Sequence, residues 1–219
     1  MTMFQTFNLH HVGFLLQCAT WTVVLSGIAL AGGAIGGSII ALIRLSRFAW
    51  LRWIAQAYIY VIQGTPLLVI LFIAYFGVAN LGYDLPAIYA AGLGFTLYSS
   101  AFLGEIWRGS IQSISKGQWE ASFVLALGWR HTMTDVIIPQ ALRVAIPPTV
   151  GFSVQVVKNT ALASVVGFIE LTRAGQIVSS ATFQPLPVYL TVAAIYFCIC
   201  SILSHASRRL ERRLHQAAN

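Results

Sequence analysis

Residues 12–43, 53–83, 85–104 and 174–204 form four stretches without a single charged side chain. A fifth apolar segment, from 144 to about 168, is interrupted once, by Lys158. A helix needs roughly 20 apolar residues to cross the hydrocarbon layer, and a barrel strand only about 9–11. Runs this long must satisfy their own backbone hydrogen bonds, so the pattern predicts helices. The expected fold is an all-α integral membrane protein with five transmembrane helices, at approximately 12–43, 53–78, 86–107, 144–168 and 186–206. Between the third and fourth lies a longer polar segment, 110–142.

Composition agrees with the pattern. The 219 residues are 58% hydrophobic and 9% charged, where a soluble domain carries about 25% charged residues. The first run has no basic residues before it and outlasts the apolar core of a secretion signal, so it is expected to stay in the protein. Cys18, Cys198 and Cys200 fall inside spans and read as small buried hydrophobes, with no metal site. No linker, tandem repeat or low-complexity tract divides the chain, which reads as a single domain, 1–219.

The net charge of +7 is unevenly placed. Eleven of thirteen basic residues, from Arg44 to Arg213, fall on one side of the predicted spans, while Asp84, Glu170 and Arg173 fall on the other. The positive-inside rule puts the N-terminus outside and the C-terminus in the cytoplasm. The charge is then a topology signal at a lipid surface, and no nucleic-acid partner is expected. Glu105 and Arg108 have the spacing of an ion pair within one helix, as do Glu170 and Arg173.

This topology puts "KGQWEASFVLALGWRHTMTDVIIPQALRVAIPP" (116–148) largely in the cytoplasm. Within it, 118–127 reads as a short helix, with Trp119, Phe123 and Ala126 or Leu127 as one apolar stripe and Gly128 as its stop. A second helical piece, 130–138, is expected to end at Pro139. An apolar face held outside the bilayer must be buried, either on the chain's own helices or in a socket on a partner.

Here the residues carry a resemblance. Glu120-Ala121-Ser122, Ala126 and Ile137-Ile138-Pro139 resemble the EAA loop of ABC-importer permeases. "RGSIQSISKGQWEAS…TMTDVIIPQALRVAIPP", "QGTPLLVILFIAYFGV" and "VKNTALASVVGFIELTRAGQ" are similar, in order, to signature stretches of the histidine/glutamine type of polar amino acid permease. The resemblance implies the ABC type I importer permease fold and a permease subunit of an ATP-driven importer for polar amino acids. It also implies a coupling helix docked in a separate ATPase, with Gln118, Trp119, Glu120, Ala121, Phe123, Ala126 and Gly128 in that region. The family usually has Gly where Ala126 stands, so an extended or shifted turn is expected after the helix.

The partners it implies are two ABC ATPase subunits, a second permease (identical or paralogous), a periplasmic or lipid-anchored solute-binding protein and the amino acid itself. The place implied is a bacterial inner membrane. The chain has no G-x-x-x-x-G-K-[ST] phosphate loop. It is therefore not the enzyme, and it carries no cofactor, ATP being bound by the partner. The glycines of "GIALAGGAIGGS" read instead as helix contacts, Gly32 with Gly36 and Gly33 with Gly37.

Two segments are candidates for the solute path. Gln63 lies about 15 Å along the second span, followed by Gly64, Thr65 and Pro66, where proline removes a backbone hydrogen bond. The break is either a structural kink or an opening that offers backbone groups to a solute. Lys158, about 20 Å along the fourth span, adjoins Asn159 and Thr160. It must snorkel, pair or face a wet cavity. In the resembled family this is a K-[DN]-T-S-L region near the path, where Asp is frequent at the position of Asn159 and Ala161 replaces the usual Ser. One deep ammonium without a deep carboxylate favours an acidic or neutral amino acid over a cationic one. The competing expectation is a stand-alone secondary transporter or channel, which the lack of mid-membrane carboxylates disfavours. An intramembrane enzyme lacks a catalytic set.

Overall fold

The computed structural model describes residues 6–216, and every regular element among them is helical. Helix α1 (Leu9–Arg44) is 36 residues long, about 54 Å at 1.5 Å per residue. Its start is fixed by Asn8, whose side chain accepts the backbone N–H groups of His10 and His11. His11 Nδ1 accepts the Asn8 N–H in return at 3.2 Å, a capping box with histidine in the usual Glu/Gln role.

The second span is two pieces. Helix α2 (Ala49–Gly64) ends at the Gly-Thr-Pro sequence, and α3 (Leu67–Phe72) continues through a π turn (Ile73–Gly77) into α4 (Val78–Asn80). The axis bends by 104° at the break. Helix α5 (Ala87–Gln112) forms the centre of the molecule and lies beside α1 in the same direction. Their contact is made by small residues. A Cβ added to Gly33 would lie 2.3 Å from Ser99 Cβ, and one on Gly37 would lie 3.0 Å from the Gly104 nitrogen. The paired glycines of α1 thus let two backbones approach closely. Tyr58 on α2 donates to the Leu97 carbonyl at 2.9 Å, whereas α3 sets Leu71 over Gly94. Leu25, Leu71, Phe95 and Val156 fill the core between α1, α3, α5 and α8.

Beyond α5 come α6 (Lys116–Val124), α7 (Trp129–His131), a π turn (Thr132–Ile137), α8 (Ile138–Asn159) and a 3-10 segment (Thr160–Val166). The helical piece expected to stop at Pro139 does not stop. From Trp129 to Val166 the chain is one continuous helical body. The π turn runs directly into α8 just before Pro139, so the proline sits where the helix has already left the regular hydrogen-bond ladder. Gly167, at φ +84°, ends the 3-10 segment in the left-handed conformation. The charge-free stretch 174–204 is also divided, into α9 (Leu171–Thr182) and α10 (Pro185–Gln216). Gln184 at their corner accepts the Phe7 N–H at 3.2 Å, which ties that corner to the start of α1. A second core of Leu15, Cys18, Leu171, Val178 and Val188 joins α1, α9 and α10. Cys18 and Cys200 are buried, but Cys198 is exposed, because two residues on one helix turn its side chain away from the bundle.

Candidate translocation path and coupling surface

The two polar segments singled out in the sequence meet the same turn of α5. Gln63 is the penultimate residue of α2, and its Nε2 lies 3.5 Å from the Ala101 carbonyl. Three residues earlier on α5, the Tyr98 hydroxyl is reached by the Asn159 side chain at the end of α8. Thr65 is extended, at φ −102° and ψ 131°, as the residue before a proline must be. Its hydroxyl donates to the Val61 carbonyl at 2.7 Å, recovering one acceptor at the broken helix end. Gln63, Gly64 and Pro66 are exposed and Thr65 is half-buried.

The other two residues turn elsewhere. Thr160 is wholly buried; its hydroxyl donates to the Val157 carbonyl at 2.7 Å and lies against Tyr196. Lys158 is exposed on the side of Cys200, and no carboxylate pairs with it among the described residues. Sequence reasoning missed the aromatic wall beside Asn159. Tyr98 and Phe102 are 4.6 Å apart between ring centroids, and Phe102 stacks on Phe152 at 5.2 Å. The spacing of Tyr98 and Phe102, one helical turn apart in an otherwise small-residue span, is the signal that could have found them.

Glu170 also differs from expectation. It does not lie on the outer surface with Arg173 as its ion partner. Glu170 is fully buried as the N-cap of α9, accepting the backbone N–H groups of Thr172 and Arg173 at 2.9 Å each. Thr22 of α1 and Tyr196 of α10 donate hydroxyls to it at 3.4 and 2.8 Å. These two residues stand about 17–20 Å in from the starts of their helices, so a carboxylate does lie deep in the protein. Four donors seal it, and the helix N-terminus favours negative charge there. The Arg173 side chain instead donates to Gln176. Glu105 and Arg108, by contrast, form a two-point ion pair, with Arg108 Nε 2.9 Å from Glu105 Oε2.

At the other end, α6 is held away from the bundle. Ser122 is buried, and Trp119 is half-buried, with its ring centroid 6.1 Å from that of Trp129. Gln118 accepts from Gln140 at 3.1 Å. Glu120 and Ala121 are exposed, and Phe123, Val124 and Leu125 are 84%, 81% and 71% exposed. The expected stripe is therefore split: Trp119 faces the chain, and Phe123 faces away from it. The helix ends at Val124 rather than at 127, and Gly128, at φ −65° and ψ 155°, is not its stop.

The stop is Ala126, at φ +53°. Its N–H bonds the Phe123 carbonyl at 2.9 Å, and the Leu127 N–H bonds the Ser122 carbonyl at 3.0 Å. These are the two bonds of a Schellman motif. The turn is neither extended nor shifted. Alanine occupies the left-handed position, which costs an L-residue with a Cβ about 1–2 kcal/mol.

Comparison with known proteins agrees with this architecture. Residues 33–216 match the family described as binding-protein-dependent transport system inner membrane component. The chain is 37% identical over 200 residues to the probable amino-acid ABC transporter permease protein YckA of Bacillus subtilis (strain 168), covering 91% of this chain and 88% of that protein. It is 36% identical over 215 residues to the probable glutamine ABC transporter permease protein GlnM of the same organism, covering 98% and 97%. A chain in the crystal structure of an amino acid ABC transporter with histidines superposes with a TM-score of 0.89 at 33% identity, covering 95% of this chain and 100% of that one. The chain belongs to the family of binding-protein-dependent transport system inner membrane components and is a multi-pass permease of a bacterial ABC importer, the component that spans the membrane beside a partner ATPase.

Proposed function

We propose that this chain lines the translocation path for a polar amino acid and is driven through α6 by a separate ATPase that binds the ATP. The observation that carries the reading is the exposed apolar tip of α6. Phe123, Val124 and Leu125 project from a capped helix whose own bundle takes only Ser122 and part of Trp119. Such a tip is unfavourable in water and fits a socket on a partner. Two ATPase copies, a second permease (identical or paralogous) and a periplasmic or lipid-anchored solute-binding protein complete the assembly. α6 then faces the cytoplasm, and the N-terminus faces outside.

The path runs past the broken span, where Gln63, Gly64, Thr65 and Pro66 meet the same turn of α5 as Asn159; Lys158 and Thr160 flank Asn159 in sequence but turn out of the path. A broken helix supplies backbone and amide groups at mid-membrane depth. The named cargo of the relatives supports an amino acid. ATP closing the motor must favour one α6 position over another, because a ligand shifts an equilibrium only by its differential affinity for the two states.

Glu120→Ala and Trp119→Ala, reconstituted with the ATPase and binding protein, test the coupling. Both are expected to insert normally and to lose uptake at least tenfold while hydrolysis continues. Transport at the unsubstituted rate sinks the coupling role, and uptake that persists without ATP points to a stand-alone carrier.

A further inference from the structure

Two grooves join at the end of the molecule that carries α6. The first, about 790 Å³, opens between the end of α1, the start of α2 and the α7 region. Its rim holds Arg47, Arg52 and Arg130, with Ser46 and Thr134 between them. The second, about 350 Å³, runs up the outside of the bundle between α1, α5 and α8 and is almost wholly apolar, lined by Ala41, Trp107, Ala141 and Ala145. Leu42, Leu45 and Ile138 line both, so one continues into the other. Both volumes fall within the range of about 300–1,000 Å³ of sites that hold small ligands.

The three arginines are exposed and uncompensated. Among the described residues none of them has a carboxylate within ion-pair distance. Arg47 lies over the Phe48 ring at 5.1 Å, and Arg52 reaches only the Ser46 carbonyl, at 3.4 Å. Three guanidinium groups around one polar mouth are matched by an anion with several acceptor oxygens. An apolar slot leading from that mouth along a membrane-facing helix surface is matched by a hydrocarbon chain. A free anion would leave the slot empty, and a neutral lipid would leave the arginines unpaired.

We propose that this paired groove is a binding site for one anionic phospholipid of the cytoplasmic leaflet, its phosphate held by Arg47, Arg52 and Arg130 and one acyl chain lying in the slot beside Ala141 and Ala145. Basic clusters at helix ends on that side attract acidic headgroups generally; the slot makes this one a defined site. The lipid bridges α1, α2 and the helical body that follows α6. It therefore braces the elements on which the coupling segment stands, independently of what solute the permease carries.

The test uses the full chain, delipidated in detergent, with phosphatidylglycerol, phosphatidylcholine and inorganic phosphate as probes in native mass spectrometry. Phosphatidylglycerol is expected to be retained at about one-tenth the concentration needed for phosphatidylcholine. Arg47→Gln, Arg52→Gln and Arg130→Gln, singly and together, should erase that difference. Ala145→Phe, which fills the slot and leaves every arginine, should weaken both lipids.

Equal retention of the two lipids, or unchanged preference in the triple variant, overturns the proposal. So does phosphate binding as tightly as phosphatidylglycerol, because the slot then adds nothing. If the arginine variants lose the ATPase in a pull-down but keep the lipid, the groove is a protein contact and the proposal fails. Unchanged thermal unfolding of the single-arginine variants checks that the fold is retained.

Discussion

Tyr196 on α10 donates its hydroxyl to Glu170 Oε2 at 2.8 Å, and that carboxylate caps α9 from a wholly buried position. Through Thr22 the same group also holds α1. Helices α1, α9 and α10 are pinned at one carboxylate. A buried polar group left without its partner costs about 1–3 kcal/mol, so Glu170→Ala, which takes the acceptor from two hydroxyls and two backbone N–H groups at once, should be among the most damaging substitutions in the chain. Tyr196→Phe removes one donor and should cost about a third to a half as much. Thermal unfolding in detergent should order the proteins as unsubstituted, Tyr196→Phe, Glu170→Ala; equal midpoints would refute the pin.

Ala126 supplies a second prediction. Its left-handed backbone is strained for alanine and free of strain for glycine. Ala126→Gly should raise the unfolding midpoint by about 2–4 °C, the shift that ~1 kcal/mol gives in a chain of this size. Ala126→Val, β-branched at the same φ, should lower it. A midpoint that follows side-chain bulk alone, or does not move, contradicts the strained turn.

The seam between α1 and α5 gives a third. With 2.3 Å between a built Cβ at Gly33 and Ser99 Cβ, Gly33→Ala must push the helices apart, at about 1–3 kcal/mol for an overpacked contact. Gly27→Ala, on the same helix with nothing within 4 Å, is the control and should cost nothing. Comparable losses at both positions would contradict the close approach as the cause, because Gly→Ala within a helix is favourable by itself.

Gln63 gives the fourth. Its amide is exposed at the broken span and only weakly held by the Ala101 carbonyl, so it is free to meet a solute. Gln63→Ala should reduce uptake by the assembled transporter about tenfold, equivalent to ~1.4 kcal/mol. Protein level and unfolding temperature should stay unchanged. Full uptake by this variant removes Gln63 from the path.

How far the sequence could be read follows from where each free energy arises. Charge-free runs are legible because a charge in lipid is expensive wherever it lies, and the Gly-Thr-Pro break is legible because proline acts on its own backbone. Glu170 was hidden for the opposite reason. Its burial is offset by Thr22 and Tyr196, 148 and 26 residues away, and no local pattern records such donors. Ala126 misled because local preference asks for glycine there, whereas the two backbone bonds of the turn hold alanine in place. Pro139 looked like a terminator because a π turn upstream cannot be seen in composition.

The glycine seam has a mechanical consequence. Two helices that meet through glycine backbone and the first atoms of short side chains have little that can compress between them, so they travel as one beam. Only three residues separate α5 from α6, and any displacement of the tip enters that beam at its end. The beam carries it undiminished to the turn where Tyr98 and Ala101 face Asn159 and Gln63. Slack is left to the 104° elbow of the second span, and on the proposed path that is where opening and closing would be concentrated.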